Sequence, residues 1–229
     1  MATVTQAVED YLKTIWRIGH REGDRVPVGS IASQLNVSAP SVTGMVQKLK
    51  GMGLVHYARY DGVRLTARGR KIALEIVRHH RLWELYLHTR LGVPLDRVDS
   101  EAERLEHVLS DDMEELLSRA LGDPTHDPHG DPIPTKQGTL GAVRGEPLPT
   151  LPPGRRAVVT HVSDRDAGRL RYLVALGLVP GARVTIHARA PFGGPLTVGV
   201  GRKRVALDPG MAELVRVSVP PPPGARRKR

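Results

Sequence analysis

Cysteine is missing from all 229 residues. Disulfides are therefore excluded, and any metal site has to be built from nitrogen and oxygen ligands. Aromatic residues are scarce, 3% with a single phenylalanine. No run of about 18 apolar residues occurs, which excludes a membrane-spanning helix. The opening MATVTQAVEDYL lacks the charged-then-apolar layout of a secretory signal, and the expected location is the cytoplasm. Acids are outnumbered, 24 against 34 lysines and arginines, giving a formal charge of +10. Such a balance favours a polyanionic partner, nucleic acid or a charged surface. Against that background, acids crowd into 96–115: Asp96, Asp99, Glu101, Glu103, Glu106, Asp111, Asp112, Glu114 and Glu115. A basic chain that gathers carboxylates in one place points to a bound cation.

The first seventy-odd residues carry a pattern with a mechanism. Val4, Val8, Tyr11 (or Leu12), Ile15 and Ile18 recur at helical spacing over about 4–20. Asp10 falls outside that stripe, where a first-turn carboxylate suits the helix dipole and can pair with Lys13. A short helix is expected over Val28–Leu35, a turn at Asn36–Val37, and a longer helix from Ala39 to about Met52, with Ser38 as N-cap and Pro40 in its first turn. Val42, Val46 and Leu49 face inward, leaving Ser41, Thr43, Gly44, Gln47 and Lys48 outside. That is a helix-turn-helix pattern. Leu54–Arg59 and Val63–Thr66 are expected strands around Asp61-Gly62, a hairpin signal. Ser38, Ser41 and Thr43 can reach base edges and phosphates, small residues let such a helix sit close in the major groove, and Pro40 and Gln47 are counted with the DNA-binding residues. Lys48, Lys50, Arg59 and Arg64 would meet phosphates.

Downstream, Thr66 caps a long expected helix running through HHRLWELYLHTRLG, where His80 and Glu84 stand at i, i+4; His79, on another face, is expected at the surface. After Gly92-Val93-Pro94, Arg97–Asp99 leads into a second helix expected from Ser100 to about Leu121. On it Glu103, Glu106 and His107 share one face of one turn, a basis for a divalent-metal site. Leu82, Leu85, Tyr86, Leu105, Val108, Leu109, Met113, Leu116 and Leu117 give more apolar surface than one helical pair needs, which suits a dimer interface or ordinary core. The pattern H-E-x-x-H and nucleophile motifs are absent, which argues against a hydrolytic metal centre.

Taken together, several motifs in order — ED-Y-L, the winged module with LT-x-x-G at Leu65–Gly69, H-R-L-x-E, D-x-E-A-E-x-x-E-H-x-x-S-D and G-D-P-I-P — resemble the diphtheria toxin repressor family of metal-dependent regulators, including its manganese branch. The resemblance covers about residues 5–135. It implies a homodimer that binds a double-stranded DNA operator when metal-loaded and controls metal-uptake genes. It implies a regulatory site of Asp10, Glu103, Glu106 and His107, and an ancillary site of His80, Glu84 and Asp99, with Asp164 and Asp166 as further candidates. Iron-responsive members place methionine and cysteine where this chain has Asp10 and Glu103. The harder ligand set favours Mn²⁺, with Fe²⁺ second. Lys13 stands where the manganese branch tends to have a glutamate that helps bridge two ions, which argues for two separated sites. The competing reading is a metal-insensitive architectural DNA binder whose acidic face is merely solvated.

Residues 136–156, within a Pro/Gly-dense stretch from Asp123 to Arg156, are expected to form a linker. The turn chemistry of Asp-Pro and Gly-Asp accounts for His126, Asp127, His129 and Asp131 without a metal. From Ala157 the pattern alternates: Val158–Val162, Ala182–Ala188, Leu196–Val200, Arg204–Leu207 and Ala212–Val217 are expected strands, with a helix over Asp166–Leu176 ended by Gly177. RYLVALGLVPGARVTI resembles the SH3-like, iron-transport-accessory (FeoA) domain of many family members. The expected fold is mainly α: a winged helix-turn-helix domain (1–72), a helical metal-binding and dimerisation domain (73–135), the linker, and a small SH3-like β-barrel (157–219). The basic tail 220–229 completes the chain.

Overall fold

A computed structural model describes residues 4–219; the tail lies outside the described residues. Helix α1 spans Gln6–Glu22, α2 Val28–Leu35 and α3 Ala39–Gly51. The turn between α2 and α3 uses Asn36 in the left-handed conformation (φ 52°), which asparagine tolerates better than most residues. Ser38 caps α3, its hydroxyl accepting from the Ser41 amide at 3.3 Å. Val42, Val46 and Leu49 are fully buried, while Ser41, Gln47 and Lys48 are exposed. Strands β1 (Val55–Ala58) and β2 (Gly62–Leu65) pair antiparallel, Val55 opposite Leu65. Their connection is the expected wing. Thr66 then opens α4 (Ala67–Leu91), its hydroxyl accepting from the Gly69 amide at 3.1 Å. Gly69 has no alternative: a Cβ there would stand 2.0 Å from the Leu54 carbonyl oxygen.

The helix expected from Ser100 to about Leu121 starts earlier and is broken. Helix α5 covers Val98–Leu105, a 3₁₀ turn Glu106–Val108, and α6 Asp111–Ala120. Leu109 is extended (φ −78°, ψ 114°), and Ser110 starts α6 as its N-cap, with Asp111, Asp112 and Glu114 in the first turn where the dipole favours acids.

The chain divides into two compact units: Met1–Trp83, Ala102–Asp123 and Ile133–Leu140 form the first, and Glu84–Glu101, Pro124–Pro132 and Gly141–Arg229 the second. The core of the first is built mainly of aliphatic residues from α1, α2, α3, the wing and the start of α4, with Tyr11 and Trp16 among them. The second is centred on an antiparallel sheet of β3 (Glu146–Pro147), β4 (Arg156–Val162), β5 (Arg183–Arg189), β6 (Leu196–Val200), β7 (Lys203–Leu207) and β8 (Val215–Ser218), ordered β3-β8-β4-β5-β6-β7. Its edges β3 and β7 do not pair with one another, so the expected barrel is not closed. Helix α7 (Ala167–Ala175) begins at Asp166, whose carboxylate accepts from the Arg169 amide at 2.9 Å. The strand expected over Ala212–Val217 is displaced by a short helix α8 (Pro209–Ala212), because Asp208 caps Pro209-Gly210. Leu148 and Leu151, inside the stretch expected to be linker, are buried in this core. A 3₁₀ turn over Leu148–Thr150 carries them there.

Candidate metal centre and nucleic-acid interface

In the first unit α1 brings Asp10 to Glu106 and His107 on the 3₁₀ turn, with one ligand atom of each lying within 4.8 Å of the others. His107 Nε2 is 2.8 Å from Asp10 Oδ1 and 3.3 Å from Glu106 Oε1. The ring's other nitrogen, Nδ1, lies 2.7 Å from Glu9 Oε2. A carboxylate only accepts, so this contact places the proton on Nδ1 and turns the lone pair of Nε2 toward Asp10 and Glu106. Nε2 is buried and faces the carboxylates of Asp10 and Glu106, the placement of an imidazole nitrogen able to ligate. Burial pushes the Asp10 carboxyl up, and so do Glu103 and Glu106; His107 opposes but does not cancel them. Two carboxylates held together against their own repulsion, with an imidazole nitrogen beside them, suit a divalent cation.

Glu103 goes elsewhere. Its Oε2 lies 2.6 Å from Lys13 Nζ, and the same ammonium lies 2.7 and 2.6 Å from the two oxygens of Glu106. Lys13 is 2% exposed. His80, expected beside Glu84, instead places Nδ1 2.6 Å from Glu106 Oε2. Burial would raise the Glu106 carboxyl, but the hydrogen bond with His80 and the Lys13 charge outweigh it and hold the group below its ordinary range. His79 is buried rather than at the surface: Nδ1 is 3.2 Å from the Glu106 carbonyl oxygen and Nε2 3.0 Å from Glu114 Oε2. Arg78 donates from Nε to Glu114 at 2.7 Å and from Nη1 to the Pro134 carbonyl at 2.9 Å. This chain of contacts props the backbone of the turn that carries Glu106 and His107.

The second unit holds two further groups, both sharing Glu84: Glu84 with Asp127 and His129, and Glu84 with Asp99 and Asp164. Asp127 and His129 were explicable from sequence as turn residues, and both are buried. Asp127 Oδ1 accepts from the His129 and Asp131 amides, each at 2.9 Å, and closes the loop. Gly130 (φ 94°) lets the loop lie against β4; a Cβ would stand 2.1 Å from the Thr160 carbonyl oxygen. His129 Nε2 donates to the Leu95 carbonyl at 3.0 Å, so Nδ1 carries the lone pair. That atom is buried, hydrogen-bonds to nothing and lies 3.5 Å from Glu84 Oε1. Burial pushes the His129 pKa down, but Glu84, Asp127 and Asp164 together raise it. Asp166 joins neither group; it caps α7.

On the winged module, Ser38, Pro40, Ser41, Gln47, Lys48, Arg59 and Arg64 are exposed, and Thr43 is half-buried with its hydroxyl donated to the Ala39 carbonyl at 3.0 Å. Lys50 donates to the Tyr57 carbonyl at 3.1 Å and braces the wing. Arg59 stacks over Tyr60, 5.3 Å to the ring centroid, at a tip where Tyr60 is 94% exposed.

A winged helix-turn-helix joined to a partly buried carboxylate–imidazole cluster defines a metal-responsive DNA-binding regulator. Family models agree along the chain: the iron dependent repressor N-terminal DNA binding domain matches residues 3–63, the iron dependent repressor metal binding and dimerisation domain 66–135, and the FeoA domain 146–219. The iron-dependent repressor IdeR of Mycobacterium leprae is 35% identical over 95% of this chain and 99% of its own. The diphtheria toxin repressor of Corynebacterium diphtheriae is 36% identical over 58% of this chain and 59% of its own. Among solved structures, a manganese-dependent transcriptional repressor in complex with manganese superposes with a TM-score of 0.79 at 35% identity, covering 93% of this chain and 99% of that one. The manganese regulator SloR gives 0.72 at 29%, covering 96% and 100%. The chain belongs to the diphtheria toxin repressor family of metal-dependent transcriptional repressors. The family is one of DNA-binding proteins rather than hydrolases, and the metal-insensitive reading finds no support in it. Among the described residues no helix is long and apolar enough to cross a membrane.

Proposed function

We propose that this protein is a homodimeric repressor that binds its operator when Mn²⁺, or in second place Fe²⁺, occupies a regulatory site of Asp10, Glu106 and His107, with Glu103 at its margin. The observation that carries the reading is the convergence of Asp10, from the DNA-binding domain, on Glu106 and His107, from the dimerisation domain. A divalent cation there supplies the positive charge that three crowded donors need. The chain's own residues do the rest. Glu9 orients the His107 ring, His80 and Lys13 fix Glu106, and Asp10 ties α1 to the 3₁₀ turn. The tie sets the presentation of the winged module in a dimer, so metal occupancy shifts the population competent for DNA. Ser38, Pro40, Ser41, Thr43 and Gln47 approach base edges, and Lys48, Arg59 and Arg64 engage phosphates.

The dimer is supported by uncovered apolar residues on the metal-binding domain: Val108 is 76%, Met113 50% and Leu116 52% exposed. A second, ancillary metal site is supported by Glu84 with Asp127 and His129, and with Asp99 and Asp164. Oxygen and imidazole donors without sulfur favour Mn²⁺. The C-terminal sheet domain, SH3-like in kind though open, supplies Asp164. The cytoplasm is the expected setting. The reading is tested by fluorescence anisotropy on promoter DNA with chelated protein, followed by Mn²⁺, Fe²⁺ or Zn²⁺. It predicts affinity that rises on metal addition, most with Mn²⁺; equal affinity with and without chelator would contradict it.

A further inference from the structure

The positive charge of this chain is not concentrated where its DNA-reading helices are. Residues 3–63 hold seven lysines and arginines against five acids, whereas residues 146–219 hold eleven against five. The C-terminal sheet domain therefore carries a formal +6, against +2 for the N-terminal match. Strands β4, β5, β6 and β7 contain no aspartate or glutamate.

The strand register shows where that charge stands. Arg156 on β4 pairs with Thr185 on β5, Thr185 with Gly199 on β6, and Gly199 with Arg204 on β7. Directly opposed residues share a face, so these four form a row across the sheet. Arg183, two residues before Thr185, lies on the same face. The other face carries Ala157, Val184, Ile186 and Val198, all buried in the domain core. The row thus faces outward, and its arginines are exposed. Gly199 keeps the strip low: a Cβ there would stand 2.6 Å from His187 Nε2, so the imidazole lies over the strand.

Other arginines of the domain are neutralised or tied down. Arg169 pairs with Asp166 at 3.9 Å, Arg189 donates to the Pro149 carbonyl, and Arg216 donates to the Gly145 carbonyl at 2.7 Å. The side chains of Arg156, Arg183 and Arg204 make no ion pair or hydrogen bond among the described residues. These strands also lack phenylalanine, tyrosine and tryptophan, so they offer no platform for stacked bases. Unpaired guanidinium groups on an acid-free strip suit phosphates. The row crosses three strand spacings, about 14 Å, while the phosphates of one DNA strand rise about 3.4 Å apiece.

We propose that the outer face of this sheet is a second DNA-backbone contact, engaging duplex beyond the segment that the winged module reads. The proposal rests on the DNA-binding reading above. A strip tethered to a module already on DNA meets duplex at high local concentration, so contacts too weak to act alone still add affinity.

The test uses the full-length, Mn²⁺-loaded chain and fluorescence anisotropy over a salt series. Two duplexes are compared: the minimal operator defined by footprinting, and the same operator extended at each end by about 10 bp, one helical turn. Wild type should give a steeper slope of log K against log salt on the longer duplex. The triple variant Arg156→Gln, Arg183→Gln, Arg204→Gln should lose about two to three from that slope, at about 0.9 per phosphate. On the minimal operator it should keep the wild-type slope and Mn²⁺ response. Arg204→Glu, one exposed change at the sheet edge, should lose about one or more, so the answer does not depend on the triple variant folding. Wild-type slopes for both variants on the longer duplex would overturn the proposal. Variant-sensitive binding to phosphatidylserine vesicles with no change in DNA slope would overturn it in favour of a membrane surface. Wild-type affinity that ignores Mn²⁺ on both duplexes would instead overturn the regulator reading beneath it.

Discussion

Replacing Arg78 by methionine removes a partly buried charge while keeping most of the side-chain volume. Arg78 holds Glu114 at 2.7 Å, the Pro134 carbonyl at 2.9 Å and the Ser118 hydroxyl at 3.3 Å. Glu114 is 2% exposed, so its carboxylate cannot turn to water when the guanidinium is lost. Breaking one partner of a buried pair costs about 3–5 kcal/mol. Arg78 is itself 12% exposed and His79 still contacts Glu114, so the lower end, about 3 kcal/mol, applies. For a protein of this size that is a fall in Tm of about 6–12 °C. The pH dependence has a definite sign. In the wild type, burial pushes Glu114 up, but Arg78 and then His79 outweigh it and hold its carboxyl below the ordinary 4.5. The stabilisation is therefore full above that ordinary value and is lost as pH falls through the lower folded value. Without Arg78, burial prevails, the Glu114 carboxyl rises, and acid relieves the variant by protonating it. The deficit should be largest near neutral pH and shrink toward pH about 4. Both tryptophans, Trp16 and Trp83, belong to the unit that contains Arg78, so their fluorescence on heating in chelator reads the right region. A loss below about 1 kcal/mol, or a loss equal at both pH values, would refute the reasoning.

Other consequences follow from the same contacts. Glu9→Gln should loosen the His107 ring and lower Mn²⁺ affinity about 10–100-fold, the usual cost of an outer ligand partner; a calorimetric titration checks it, and unchanged affinity would remove Glu9 from the site. Arg64→Ala should weaken operator binding and reduce the slope of log K against log salt by about one, measured by anisotropy over a salt series. A slope that does not change would show that the wing arginine misses the phosphates.

Much of the helical part was legible because its signals are local. The Val28–Leu35 helix has the expected bounds, and Ser38, Pro40 and Thr66 take the capping places their chemistry suggests. The break after Leu105 was missed because apolar periodicity continues across it, although Ser110 followed by two aspartates was a readable N-cap signal. The site was legible in membership more than in pairing. Asp10, Glu106 and His107 lie together, whereas Glu103 and His80 turn to Lys13 and Glu106. No local pattern marks a lysine for burial or a surface-spaced His79 for Glu114, since both depend on partners far along the chain. Asp127 and His129 escaped for a related reason. Their turn chemistry explained them fully, and only folding brings Glu84 beside them. In the C-terminal domain, alternation located most strands, but whether β3 and β7 close the sheet depends on hydrogen bonds that alternation does not encode.

The central claim is that Asp10 couples metal to DNA. Its most direct measurement is operator affinity of wild type and Asp10→Ala, each with chelator and with saturating Mn²⁺. Wild type should gain affinity with Mn²⁺, while Asp10→Ala, still folded and dimeric, should lose that gain and stay near the chelated wild-type value. An Asp10→Ala protein that responds to Mn²⁺ as wild type does would contradict it.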